Sequence, residues 1–134
     1  MTSGGGLRLN PMTTQPSPAD VAIAYIEAFG RGDMTTAATY LADDVVFESP
    51  RVRLEGRSAV VEAVSTFAQA VQSVTILATF GDPARALVMY DMHTGPFGPL
   101  RATDLLVVTA GKITSDTLVF DTHPIHEFEA AHPS

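Results

Sequence analysis

The sequence contains no cysteine, which excludes disulfides, thiolate chemistry and cysteine-ligated metals. It has no run of about 18 apolar residues, so no transmembrane helix is expected. Basic residues are few, and the formal net charge is −7. Nucleic acids and anionic membranes usually require a basic patch, so neither is a predicted partner. These absences are typical of a cytoplasmic protein, and no metal site or cofactor is predicted.

The chain does contain enough apolar material for one folded domain. Its 134 residues are 46% hydrophobic and 17% charged, which argues against disorder. Residues 1–17 are rich in Gly, Thr, Ser and Pro and lack an apolar segment of the kind found in signal peptides. They are predicted to be a flexible leader. A single domain is predicted over residues 18–128, with residues 129–134 as a tail.

Three helices are predicted in the first half of the chain. Ser17–Asp20 has the composition of a helix start, and apolar residues then recur at helical spacing until Gly30. Asp33 can cap a second, short helix through about Leu41. A third amphipathic helix follows the Gly-Arg-Ser turn that begins at Gly56.

The pattern then changes to the two-residue period of strands. In "DDVVFESP", Val45 and Phe47 share one face and Pro50 ends the strand. Further strands are predicted near residues 74–80, 85–94, 101–110 and 112–121, the last two joined by a tight turn. Helices followed by antiparallel strands predict an α+β fold, with the helices on one face of a curved sheet. The closing "HPIHEFEAAHPS" is predicted to extend over the surface.

These elements carry the residue pattern of a known superfamily. "YIEAFGRGDMTTAATYLADDVVFESP", followed by "GRSAVVEAV" and "GKITSDTLVFD", resembles the nuclear-transport-factor-2-like (NTF2-like) superfamily. Within it, the ketosteroid isomerases and the SnoaL-like polyketide cyclases are most similar. The resemblance covers about residues 18–128. It implies a cone-shaped barrel of a curved, mostly antiparallel sheet packed against three N-terminal helices, a deep apolar pocket and, commonly, a homodimer.

The resemblance also assigns roles to individual residues. Tyr25 matches the isomerase tyrosine that donates a hydrogen bond to the substrate oxyanion, and Asp104 matches the protonated aspartate that donates the second one. The catalytic base of those enzymes is an Asp before a Pro, and here Ser49 takes its place. A serine hydroxyl without a neighbouring base cannot remove a proton from carbon. The similar limonene epoxide hydrolase pattern also departs, because Leu118 stands where that family has an Asp.

Strand 85–94 offers two side chains that could replace the missing base. Asp91 and His93 share one face because side chains alternate along a strand. Aligning the hairpin on Asp104 without a gap predicts that this face, with Met89, lines the pocket. An imidazole or a buried carboxylate could then move the proton. The alternative is a solvated strand face, since a slip of one residue exchanges the two faces.

Simpler interpretations remain open for the other polar candidates. Tyr25 lies on a buried helix face whether or not its hydroxyl binds a ligand. Asp104 could pair with Arg101 instead of facing a pocket. Asp116 lies on the apolar face of the last strand, near a turn that could expose it. The histidines of the tail match no common zinc pattern and are predicted to be solvated.

The predicted function is cofactor-independent acid–base catalysis, of isomerase or cyclase type, on a small apolar, polycyclic or ketone-bearing molecule. Tyr25 and Asp104 would stabilise an enolate oxygen, and Asp91 or His93 would move the proton. The predicted substrate-binding residues are Phe47, Ser49, Phe67, Met89, Leu106 and Phe120. A non-catalytic ligand-binding protein of the same fold is the alternative.

Overall fold

The computed structural model describes residues 16–133, so the predicted leader lies almost entirely outside the described residues. This part of the chain forms four helices and six strands. In chain order they are α1 (Pro18–Gly30), α2 (Met34–Ala38), β1 (Leu41–Glu48), β2 (Arg53–Glu55), α3 (Arg57–Ala68), β3 (Val71–Gly81), β4 (Arg85–Thr94), β5 (Gly98–Thr109), β6 (Lys112–Phe120) and α4 (His123–Ala131). None of these helices is long and apolar enough to cross a membrane.

The six strands form one sheet in the order β2-β1-β6-β5-β4-β3. Only the β1–β6 pair is parallel, and the other neighbours are antiparallel. Irregularities interrupt the β1–β6, β3–β4 and β5–β6 ladders, and such bulges bend a sheet. The two-residue turn at Ala110 and Gly111 has positive φ at both positions, which suits a tight hairpin. The predicted α+β fold with a curved sheet is confirmed.

The two predicted helix starts are also confirmed. Ser17 Oγ accepts a hydrogen bond from the Asp20 amide at 3.1 Å, and Asp33 Oδ1 accepts one from the Thr36 amide at 3.1 Å. These side chains satisfy amides that a helix leaves unpaired in its first turn. Helix α1 then packs across β3, β4 and β5 and buries Tyr25 in the core. This places the polar end of a tyrosine over the inner face of the sheet.

The C-terminal segment differs from its prediction. Residues 123–131 form helix α4 instead of an extension over the surface, so the fold has a fourth helix beyond the three predicted. Ile125 is buried, and the ring of Phe128 packs edge-on against Phe97 with centroids 5.4 Å apart. Residues three apart share a helix face, which lets both side chains reach the body of the protein.

The contact between α1 and β3 provides a test of this packing. A Cβ atom added at Gly30 would lie 2.7 Å from Val74 Cβ, which is too close for either backbone to remain in place. We expect Gly30→Ala to destabilise the fold by about 1–3 kcal/mol, the usual cost of overpacking. Thermal and urea unfolding would measure this loss. The control is Gly95→Ala, whose added Cβ meets only a side-chain end at 3.5 Å; an equal loss in both variants would contradict the packing argument.

Candidate functional site

A cavity of about 290 Å³ lies between the inner face of the sheet and helices α1, α3 and α4. Its walls are mostly apolar and include the rings of Phe29, Phe47, Phe67, Phe97 and Phe120. The volume is near the lower end of the range for small-molecule sites. Four of the predicted substrate-binding residues line this cavity: Phe47, Ser49, Phe67 and Phe120.

Four buried side chains with polar groups interrupt the apolar wall. Tyr25 comes from α1, Tyr90 from β4, Asp104 from β5 and Asp116 from β6, and all four line the cavity. In the ladder Asp104 lies opposite Val88 and Leu118, so Tyr90 and Asp116 are its diagonal neighbours on either side. Side chains in diagonal positions on one face can reach each other. The sheet therefore brings two carboxyl groups and a tyrosine together under the ring of Tyr25.

One hydrogen bond organises this cluster. The Tyr90 hydroxyl donates to Asp104 Oδ1 at 2.6 Å, a short distance typical of bonds to a carboxylate. Asp104 and Asp116 are each only 2% exposed. Asp116 Oδ1 is buried and has no hydrogen-bond partner among the described residues. The two carboxyl groups are therefore equally buried but unequally supplied with donors.

Burial changes the ionisation of all four groups. Loss of hydration raises the pKa of Asp104, while hydrogen bonds from Asp116 and Tyr90 act in the opposite direction. Burial, together with the charge of Asp104, raises the pKa of Asp116 well above its usual range. Burial also raises the pKa of Tyr25 and Tyr90, as do the nearby carboxylates. The raised pKa of each tyrosine keeps its hydroxyl a hydrogen-bond donor, and the raised pKa of each carboxyl group favours the protonated form.

The structure contradicts the predicted placement of Asp91, His93 and Met89. On β4 every even-numbered residue from Ala86 to Thr94 is buried, whereas Met89 is 41% exposed and His93 is exposed. Asp91 forms a bidentate ion pair with Arg101 on the same outer face. Arg101 Nε donates to Asp91 Oδ1 at 2.7 Å, and Arg101 Nη2 donates to Asp91 Oδ2 at 3.0 Å. This pairing lowers the pKa of Asp91, which is the opposite of what a proton-abstracting carboxylate requires.

The hairpin between β4 and β5 explains this error. Thr94 lies opposite Gly98, which leaves residues 95–97 in the loop and places Asp104 opposite Val88. Opposed residues share a face, so the even-numbered residues of β4 face the cavity with Asp104. The buried Thr94 hydroxyl holds this arrangement, because it donates to the Gly98 carbonyl at 2.7 Å and accepts from the Phe97 amide at 3.0 Å.

The remaining predicted site residues lie on the inner side of the protein, but not all of them reach the cavity. Tyr25 and Asp104 line it, as predicted. Leu106 is fully buried in the core beside the cavity without lining it. Ser49 lines the cavity, and its Oγ accepts hydrogen bonds from the amides of Arg51 and Val52 at 3.2 and 3.3 Å. Ser49 therefore shapes the loop after β1 and has no base beside it.

The mouth of the cavity carries an ion pair that the sequence analysis did not anticipate. Arg51 Nη2 lies 2.9 Å from Glu129 Oε2, which joins the loop after β1 to helix α4. Both side chains line the cavity and are partly exposed. Exposed pairs of this kind contribute only up to about 1 kcal/mol, so this contact can open readily.

Asp116 and Tyr90 are the functional candidates that the sequence analysis did not assign to the site. Asp116 could have been found, because Leu118 and Phe120 continue its face and both are apolar. A carboxyl group in line with a buried strand face requires a partner or a function. Tyr90 could be found only after the partner of Asp104 across the hairpin was known.

The chain has clear relatives. It matches the SnoaL-like domain over residues 22–116 and therefore belongs to that family, which confirms the resemblance. A protein from Kribbella flavida DSM 17836 is similar with a TM-score of 0.83 and 31% identity, over 86% of this chain and 95% of that one. No curated protein sequence matches the chain.

Two further structures show the shared fold alone. An NTF2-like protein of unknown function from Cytophaga hutchinsonii ATCC 33406 has a TM-score of 0.73 and 21% identity, over 86% of this chain and 99% of that one. A candidate ketosteroid isomerase from Kribbella flavida DSM 17836 has a TM-score of 0.67 and 22% identity, over 78% of this chain and 77% of that one.

The buried carboxyl pair should make stability depend on pH. The pKa of Asp116 is raised in the folded state. The contribution of its carboxyl group to folding stability is therefore fully present below the pKa of the unfolded chain, about 4, and is lost as the pH rises. Asparagine mimics the protonated acid. We expect Asp116→Asn to stabilise the protein at pH 8, by about 1–3 kcal/mol, the cost of one unpaired buried polar group. The gain should disappear below about pH 4.

Urea unfolding of both proteins from pH 3.5 to 8 would measure this difference. Asp91→Asn is the matched control, because the pKa of Asp91 is lowered by Arg101 and its removal should give no gain at pH 8. A wild-type protein that is more stable than Asp116→Asn at pH 8 would show that Asp116 is not held protonated by burial.

Proposed function

We propose that this protein is a cytoplasmic, cofactor-independent acid–base enzyme of isomerase or cyclase type. The observation that carries this proposal is the pair Asp104 and Asp116, both buried in the wall of an apolar cavity and interacting with each other. Two like charges at this depth cannot both form readily, so one group is a base while the other is an acid. Acid–base catalysis needs both forms at the same pH.

The reaction begins with a carbonyl compound in the cavity. The ionised carboxyl group removes a proton from the carbon beside the carbonyl, and the C–H electron pair moves into an enolate. The protonated carboxyl group and the Tyr25 hydroxyl donate hydrogen bonds to the enolate oxygen. If a C=C bond is conjugated with the enolate, return of the proton to the far carbon of that bond shifts the double bond and completes an isomerisation. If the enolate carbon instead attacks a second carbonyl of the same molecule, a C–C bond forms, and the resulting alkoxide takes the proton back from the carboxyl group to complete a cyclisation.

The cavity also limits the substrate. Its aromatic and aliphatic walls favour an apolar molecule with a carbonyl group directed at the polar cluster. A head group that carries a negative charge would be repelled by the carboxyl pair. The volume of about 290 Å³ favours a compact ring system over a long chain. The class of substrate that fits is therefore a small, uncharged, ketone-bearing ring compound.

Exchange of carbon-bound hydrogen would test this proposal without knowledge of the product. We expect the protein to accelerate deuterium incorporation beside the carbonyl of cyclic ketones in D₂O, measured by proton NMR. Asp104→Asn and Asp116→Asn should each slow this exchange by about 100-fold or more, the usual contribution of a positioned acid or base. Asp91→Asn and His93→Gln should keep the wild-type rate, because both residues lie on the outer face.

A non-catalytic ligand-binding protein is the second candidate, and Ser49 favours it. The hydroxyl of Ser49 accepts bonds from its own loop and cannot serve as a base. This candidate predicts tight binding of an apolar ketone by calorimetry and no exchange above the buffer rate. Such a result, or wild-type exchange in both Asp104→Asn and Asp116→Asn, would overturn the catalytic proposal.

We also propose that the protein is a homodimer. The outer face of the sheet exposes large apolar side chains on neighbouring strands, which are Leu77, Phe80, Leu87, Met89, Leu105 and Val119. In the ladder Leu87 lies opposite both Phe80 and Leu105, so part of this surface is continuous. Monomers rarely expose extended apolar patches, and a two-fold axis would cover this face with its own copy.

Size-exclusion chromatography with light scattering would test the dimer. We expect the wild-type protein to run at twice the chain mass and Leu87→Glu to run as a monomer, because a charge would be buried in the interface. Val52→Glu is the control. Val52 is 43% exposed, close to the 44% of Leu87, but it lies at the cavity and not on the outer face of the sheet. A monomeric wild-type protein at micromolar concentration would contradict the proposal.

A further inference from the structure

Two carboxyl groups that are equally buried leave open which of them is the base. Asp104 and Asp116 are both 2% exposed, so burial does not distinguish them. The two carboxyl groups differ in their hydrogen-bond partners. Asp104 Oδ1 accepts the Tyr90 hydroxyl at 2.6 Å, whereas Asp116 Oδ1 has no partner among residues 16–133.

We infer that Tyr90 is a positioning residue that makes Asp104 the ionised member of the pair and leaves the proton on Asp116. This inference rests on the proposed acid–base function for its catalytic meaning. A hydroxyl that donates to a carboxylate stabilises the charged form. A buried carboxylate oxygen without a donor destabilises it. The same hydrogen bond therefore assigns the base and the acid.

The other groups around the pair do not replace Tyr90 in this role. Tyr25, from α1, lines the cavity, and no hydrogen bond joins its side chain to either carboxyl group in the described part of the chain. Of the described residues that line the cavity, Arg51 is the only basic one, and it is paired with Glu129 of α4 at the mouth. Ser49, at the end of β1, is engaged by its own loop.

The catalytic roles follow from this assignment. Asp104 is the base that removes the proton from carbon. Asp116, in its protonated form, and Tyr25 are the donors to the enolate oxygen. Tyr90 acts only through Asp104, because its hydroxyl already donates its hydrogen bond to that carboxyl group. This differs from the arrangement implied by the family resemblance, in which the aspartate at position 104 is the protonated donor.

The variant Tyr90→Phe removes this hydroxyl and keeps the buried ring. Carboxyl carbon NMR of ¹³C-aspartate in the ligand-free protein follows each group, with assignments from Asp104→Asn and Asp116→Asn. In the wild-type protein we expect Asp104 to ionise first as the pH rises. In Tyr90→Phe this first ionisation should rise by roughly 1–2 pH units, the equivalent of one lost hydrogen bond to a charged group. Tyr40→Phe, a tyrosine outside the cavity lining, should leave both ionisations unchanged.

Two results would overturn the inference. One is that Asp116, and not Asp104, ionises first in the wild-type protein; the other is that the first ionisation does not move in Tyr90→Phe. A graded variant covers the case in which Tyr90→Phe fails to fold. Replacement of Tyr90 by 3-fluorotyrosine strengthens the donor and should lower the first ionisation; no shift or a rise would contradict the inference.

Kinetics supply a second readout once a substrate is known. In Tyr90→Phe, the acidic limb of the plot of kcat/KM against pH should move to higher pH. The shift should equal that of the first ionisation measured by NMR. The value of kcat should fall more at pH 6 than at pH 8, with KM little changed. Because the NMR titration needs no substrate, it can support or overturn the role of Tyr90 even if the protein proves to be non-catalytic.

Discussion

The burial of two carboxyl groups in one apolar cavity is the constraint on which the rest of this site depends. Burial raises the pKa of both Asp104 and Asp116, and the charge of Asp104 raises the pKa of Asp116 further. The surrounding structure has to supply either a proton or a donor to each group. Tyr90 supplies one donor, to Asp104, at 2.6 Å.

The fold provides this arrangement through a curved sheet and a single helix. Neighbouring strands hold Tyr90, Asp104 and Asp116 on one diagonal, so small changes in strand pairing would separate them. Helix α1 holds Tyr25 above them because its apolar face packs on the same strands. Helix α4 closes the far end with Ile125 and is held at the mouth by the exposed Arg51–Glu129 pair.

The family relationship and the site geometry answer different questions. The SnoaL-like domain match and the similar structures establish the family and the fold. They do not identify the chemistry, since one fold supports many activities. The replacement of the expected base by Ser49 would suggest a loss of catalysis if it were considered alone. The catalytic proposal rests instead on Asp116, which lies on the strand between β1 and β5 and provides a second buried carboxyl group beside Asp104.

The sequence by itself determined the first three helices, the five longer strands, the α+β fold and the buried position of Tyr25 on its helix. These follow from local rules: apolar residues recur at helical or strand spacing, and Ser17 and Asp33 cap their helices. Only the tertiary structure decided that Tyr90, and not Asp91 or His93, faces the cavity. Alternation along a strand says which residues share a face, but the pairing across the hairpin says which face points inward. That pairing depends on a buried hydroxyl, Thr94, and on contacts between strands that no local pattern contains.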